Sequence, residues 1–138
     1  MVHALHEAHR VLKPNGLLLD LRPGTRHRRV GLLRGGRWRE VGAMRERFDD
    51  DRAANKVVAQ AVAEGLFRRE GQTQLDLKRY LGTPKDLRAF MDELVNPAGL
   101  PPHDWLVQRE EGALNASRGR AKIVVRGPLR LRVMRKGG

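Results

Sequence analysis

The sequence predicts an α/β fold in which a helix leads into a strand of parallel-sheet type, followed by further strands and added helices. Three observations predict it. Segments 5–12 and 84–95 carry apolar residues at helical spacing. The unbroken apolar run Leu17-Leu18-Leu19-Asp20-Leu21 lies between Gly- and Pro-containing turns and has the length of a strand. Segments 72–81 and 129–135 alternate apolar with polar residues, the period of a half-buried strand.

Taken in order, Leu5, Ala8 and Leu12, with Val11 beside them, make the stripe of a first helix, and Lys13 complements the dipole at its C-terminal end. Pro14-Asn15-Gly16 stops that helix and turns the chain. The run 17–21 shows no alternation, which fits a strand covered on both faces, as in a parallel sheet. Residues 24–36 are rich in Arg and Gly and read as a loop, with a short strand at 30–33. Residues 37–48 are ambiguous: 38–41 fits a strand that 44–48 would extend.

Asp49-Asp50-Asp51 offers an N-cap and first-turn carboxylates to a second helix, whose stripe is Ala54, Val57, Val58, Ala61, Val62 and Leu66. Phe67 leads out of it, and the strand 72–81 turns Leu75 and Leu77 to one face. Thr83-Pro84-Lys85-Asp86 places Thr at the N-cap, Pro at the first helical position and an acid two residues later, a capping-box arrangement. Leu87, Phe90, Met91, Leu94 and Val95 follow at helical spacing until Asn96-Pro97. Beyond Leu100-Pro101-Pro102 a further helix spans about His103–Asn115. Strands at 121–126 and 129–135 are split by Gly127-Pro128. No internal repeat or low-complexity linker interrupts the chain, so residues 1–138 are expected to form a single domain.

Composition narrows the function. The absence of Cys excludes a disulfide framework, a thiolate metal site and a Cys nucleophile. No apolar run approaches the ~20 residues of a membrane span, and the first residues do not begin a signal peptide, so a cytoplasmic chain with no membrane partner is expected. The net charge is +12, and position says more than the sum. Residues 1–47 hold 11 cations against 4 anions, 48–116 hold 9 against 12, and 117–138 hold 8 against none. Two basic ends suit an acidic partner surface, nucleic acid included. Scattered aromatics offer no stacking platform for single strands, so nucleic acid is not the favoured partner.

Short motifs add little chemistry. His3, His6 and His9 cannot all converge on one metal, because positions six apart lie about 240° apart around a helix. The acids 49–51 point in different directions and are read as capping groups, so no metal is expected. Ser117 is the only serine and has no nucleophile-elbow glycines around it. Gly31, Gly35 and Gly36 do not run from a strand through a glycine-rich loop into a helix, so they are not read as a phosphate loop. The strongest candidates are Asp20 and Arg22, at the carboxyl end of the expected parallel strand where open α/β sheets bind ligands, with Arg26 and His27 in the loop beyond.

Residues 5–16, LHEAHRVLKPNG, followed by Leu17-Leu18-Leu19-Asp20, carry a resemblance. They resemble the L-x-E-x-x-R-V-L-K-P-G-G helix–turn–strand of class I S-adenosylmethionine-dependent methyltransferases, near the ubiquinone/menaquinone-biosynthesis type. Asn15 stands where that pattern has Gly, at a turn position that accepts Asn. The resemblance implies a partial Rossmann-like methyltransferase sheet with added helices, in which 17–21 corresponds to the family's fifth strand and the last strands to its closing antiparallel pair. It also implies that the chain corresponds to the C-terminal half alone. The upstream cofactor elements of the family, a Gly-rich loop after the first strand and an acid ending the second, have no counterpart here. The expected cofactor is therefore none for this chain alone, and S-adenosylmethionine if an upstream half completes it. Asp20, Arg22, Arg26 and His27 stand as substrate-side candidates, and no residue takes a catalytic or cofactor-binding role from the resemblance. Strand 17–21 without its upstream neighbour would be an apolar edge, inviting a homodimer or the missing N-terminal half to pair along it. The competing expectation is a non-catalytic basic module that binds nucleic acid or an acidic partner.

Overall fold

The computed structural model describes residues 1–95 and 104–138. Among them the chain runs α1 (Val2–Val11), β1 (Leu17–Pro23), β2 (Arg29–Arg34), β3 (Arg37–Ala43), α2 (Asp49–Ala63), β4 (Phe67–Leu81), α3 (Pro84–Val95), α4 (Asp104–Ala116) and β5 (Lys122–Lys136). The fold is α/β with a mostly antiparallel sheet. Two compact units emerge: Met1–Thr25, Phe48–Leu75 and Pro128–Gly138 form the first, and Arg26–Arg47 with Asp76–Gly127 the second. Strands β4 and β5 contribute residues to both.

In the first unit α1 and α2 bury one face of the β1–β5 pair. Leu5, Val58, Ala61, Phe67 and Met134 form the core there, with Ala8, Leu12, Leu18, Val57, Val62 and Leu66 packed against it. These are the stripes the spacing predicts for both helices. Helix α1 ends before Lys13, and its last turn carries His9 and Arg10 instead. Asn15 then adopts a left-handed conformation (φ 59°), which Asn tolerates better than most residues, and the Gly16 N–H donates to the Lys13 carbonyl at 2.9 Å.

Strand β1 departs from the parallel, doubly covered strand expected of it. It pairs antiparallel with β5 in the register Leu18↔Met134, Asp20↔Arg132 and Arg22↔Arg130. It also ends the strand order, so it is an edge. Leu18 packs on the core, while Leu17, Leu19 and Leu21 are 47%, 62% and 56% exposed. Leucines at both parities hide which face is buried, and the antiparallel partner decides it. Three further expectations change. Helix α2 is preceded by Phe48 with no side-chain cap, so the three aspartates all serve its first turn. Strand β4 begins at Phe67, and residues 68–80 are exposed throughout, so it is not the half-buried strand that its alternation suggests. Strand β5 is continuous, and Gly127-Pro128 falls where its partner changes from β2 to β1, a place that tolerates proline's missing N–H.

In the second unit β2 and β3 form a hairpin across Gly35-Gly36, both left-handed (φ 54° and 75°). The segment read as loop with a short strand is thus a strand from Arg29, and its partner stops at Ala43 without extending to Phe48. Val30 pairs with Gly42 but Gly31 with Glu40, so Val41 is the extra residue of a β-bulge. Two glycines are required by close approach. A Cβ at Gly31 would lie 2.2 Å from the Arg39 carbonyl oxygen, and one at Gly42 would lie 2.6 Å from Leu106 Cδ1 of α4.

Helices α3 and α4 supply the rest of this core: Leu87, Met91, Leu106 and Val107 meet Val30, Leu32, Met44, Ile123 and Val125. The start of α3 is a true capping box. The Asp86 N–H donates to Thr83 Oγ1 (3.2 Å), while the Thr83 N–H donates to Asp86 Oδ2 (3.0 Å). Helix α4 begins at Asp104; Asn96-Pro97, Leu100-Pro101-Pro102 and His103 lie outside the described residues.

Candidate functional site

Asp20 and Arg22 come together, two residues apart on one face of β1. The Arg22 guanidinium binds the Asp20 carboxylate through both forks, Nε to Oδ1 at 2.7 Å and Nη2 to Oδ2 at 2.8 Å. Directly opposite on β5 stands Arg132, 6% exposed, whose Nη1 approaches Asp20 Oδ2 at 3.4 Å. Arg132 Nη2 also donates to Asn55 Oδ1 of α2 at 3.0 Å, and Nε to Gln72 Oε1 of β4 at 3.4 Å. The cluster therefore draws on four elements of the first unit.

Its electrostatics are one-sided. Desolvation first, then the neighbouring charges of Arg130 and Arg22, lowers the Arg132 pKa below the ordinary arginine value, while Asp20 opposes the shift. One carboxylate thus faces three guanidinium groups. Arg22 Nη1 is buried with no hydrogen-bond partner. Arg132, Asn55 and Gln72 are members that sequence reasoning missed. The alternation of 129–133 assigned Arg130 and Arg132 to solvent, although Arg132 faces the same side as the buried Met134. This cluster can hold charge and fix β1 against β5 and α2. It contains no nucleophile and no acid–base pair.

Arg26 and His27 belong to the second unit. There His27 Nδ1 accepts from the Glu46 N–H at 3.0 Å, and Glu46 Oε2 accepts from the Arg28 N–H at 2.6 Å, with the Arg28 guanidinium on the same carboxylate. Asp20 and Arg22 thus belong to a cluster of the first unit, and His27 to a polar cluster of the second. Among the described residues no group of three His, Asp or Glu side chains could hold a metal, and His9 packs edge-on against Phe67 with ring centroids 5.6 Å apart.

The second unit also contains a residue with no sequence assignment. Glu110 of α4 is fully buried, and among the described residues neither of its carboxylate oxygens has a hydrogen-bond partner. Burial pushes its pKa up to about 7. The signal in the sequence was an acid at a core position of a helical stripe, since Leu106, Val107, Ala113 and Leu114 all face the same core.

A nucleotide-like cofactor needs backbone N–H groups of a Gly-rich turn leading from a strand into a helix. Gly35 and Gly36 instead close the β2–β3 hairpin, and the chain enters α2 through Phe48 and α3 through the Thr83 box. The described residues do not fit that group. No protein-family model matches the chain, and no curated protein matches its sequence.

Proposed function

We propose that this chain supplies the C-terminal, acceptor-side part of a class I methyltransferase sheet and that the open edge of β1 receives the cofactor-binding half. One observation carries the reading. The first unit runs helix, strand, helix, strand, strand, and its last strand lies antiparallel against the first, beside a free edge. That order matches what the resemblance of residues 5–20 implies for the closing part of the family's sheet. The exposed Leu17, Leu19 and Leu21 give the edge strand an apolar face to bury. Fully covering one such leucine is worth roughly 1.5–3 kcal/mol, and half of that surface is still open here. On this reading the chain contributes no cofactor contacts, and Asp20, Arg22 and Arg132 stiffen the strand that the acceptor loops leave.

Reconstitution tests it. The chain is combined with a polypeptide carrying the strand–Gly-rich loop–helix half encoded upstream or beside it. S-adenosylmethionine should then bind once per complex in calorimetry, and to neither part alone. Stoichiometric binding to this chain alone would overturn the reading. Light scattering gives a second arm: the chain should self-associate through its edge at high concentration, and Leu19→Lys should abolish that. A wild-type chain that stays monodisperse and monomeric refutes the open edge.

A further inference from the structure

The core face of the second unit changes character along the β2–β3 hairpin. Residues directly opposite in an antiparallel pair point to the same side. Leu32 is opposite Arg39, and Arg34 is opposite Arg37, so all four share the face that α4 covers. Under α4 that face is apolar. Beyond the end of α4 it is lined by arginine. A cavity of about 530 Å³ opens there, floored by Leu32, Arg34, Arg37 and Arg39 and walled by Ala113, Ala116 and Ser117. That volume lies in the range of ligand-binding clefts.

Its charge is uncompensated. The cations that line it are Arg34, Arg37 and Arg39. No acid occurs in segments 30–39 or 113–122. None of these three cations forms an ion pair with a described residue, whereas Arg28, Arg29, Arg88 and Arg126 of the same unit all do. The C-terminus of α4 contributes only about half a negative charge to the site. Three full positive charges outweigh it. The alanines of the wall leave room and offer no acceptors, so the guanidinium donors are open to the oxygens of an anionic ligand. Guanidinium forks match phosphate oxygens.

We infer that this groove is a binding cleft for the phosphodiester backbone of a single-stranded nucleic acid. Three unpaired guanidinium groups, spread over both strands of the hairpin on one face, suit a run of phosphates along a backbone. Trp38 also lines the cavity, and the Arg126 guanidinium lies 5.2 Å from its ring centroid, covering one face of the ring. The cleft should therefore read charge and spacing rather than sequence. This inference stands independently of the methyltransferase reading, because every residue it uses lies in the second unit.

Fluorescence anisotropy of the full chain with a short labelled oligouridylate and an oligothymidylate tests it. Log affinity should fall with log salt with a slope of about −2, three phosphates at about −0.7 each. Arg34→Ala, Arg37→Ala and Arg39→Ala should each weaken binding roughly tenfold and make the slope shallower by about 0.7. Lys at the same positions should restore much of the salt slope. Arg52→Ala and Lys56→Ala, on exposed parts of α2 in the first unit, should leave affinity within about twofold at matched salt. Tryptophan emission reports that each variant is folded. Groove and control variants weakened alike would overturn the inference, because the binding would then follow net charge alone. So would tight binding of a mononucleotide or pyrophosphate without binding of either oligonucleotide.

Discussion

Glu110 sets a pH dependence of stability that can be worked from the structure. Its carboxyl group is fully buried on α4, its oxygens have no partners among the described residues, and its pKa is pushed from 4.5 to about 7 by burial. The folded state therefore holds a proton that the unfolded chain releases near 4.5. Below that value both states are protonated and no cost arises. Between about 4.5 and 7 the unfolded state gains by ionising, and stability falls as pH rises. Above about 7 both are ionised and the full cost persists. At 1.36 kcal/mol per factor of ten it amounts to roughly 3 kcal/mol. With a urea dependence of about 1–3 kcal/mol per molar, the midpoint should drop by on the order of 1–3 M across this window.

Both tryptophans, Trp38 and Trp105, lie in the second unit, so their emission follows the part of the molecule that contains Glu110. Urea titrations are run at pH 4.5 and 8 on wild type, Glu110→Gln and Glu110→Met. The Gln variant keeps an unpartnered polar group but cannot ionise, so its midpoint should be nearly flat. The Met variant should be flat as well, and roughly 3 kcal/mol more stable than wild type at pH 8. Other groups that titrate here are common to all three proteins and cancel in the comparison. A wild-type midpoint that does not fall between these pH values would refute the reasoning. So would a Gln variant with the wild-type slope.

Other substitutions test the remaining structure. Asp20→Ala leaves Arg132 buried without its carboxylate and should cost about 3–5 kcal/mol in urea unfolding followed by circular dichroism, whereas Asp20→Leu with Arg132→Met should recover most of it. Thr83→Ala removes the acceptor of the capping box and should cost about 1 kcal/mol, seen as a lowered thermal midpoint. Gly31→Ala drives a methyl group into the Arg39 carbonyl and should cost about 1–3 kcal/mol in the same tryptophan-monitored titration.

The helices were the most legible part of the sequence, because each carries its own evidence. The stripe 87–95 and the Thr83 box are local signals, and local signals survive folding unchanged. Strand environment was less legible. Leu17 to Leu21 is apolar at every position but Asp20, so neither its buried face nor its direction can be read until β5, more than a hundred residues away, takes its place beside it. The reverse error occurred at β4, where Leu75 and Leu77 alternate with polar residues yet both are exposed. Periodicity reports that a strand has two faces, not that one of them is covered. Asp20 and Arg22 were singled out for a place at the end of a parallel strand that the antiparallel β1 does not provide, and Arg132 was not singled out at all, since an arginine in an alternating strand is normally solvated. The arginine groove was hidden for a different reason: the register of β2 against β3 decides that Arg34, Arg37 and Arg39 share a side, and the two-residue turn at Gly35-Gly36 sets that register.

Gly31 and Gly42 bear on how this second unit could be traced through divergent sequences. Neither position tolerates a side chain: one lies against the facing strand's backbone and the other beneath α4. Hairpin arginines can be exchanged or lost with a change of ligand, and core aliphatics can be traded for one another at small cost. The two glycines cannot drift without moving α4 or breaking the hairpin. A pair of glycines at that spacing, astride a turn with two left-handed glycines, is thus the mark most resistant to mutation, and a better guide to distant kin than the charge that draws the eye first.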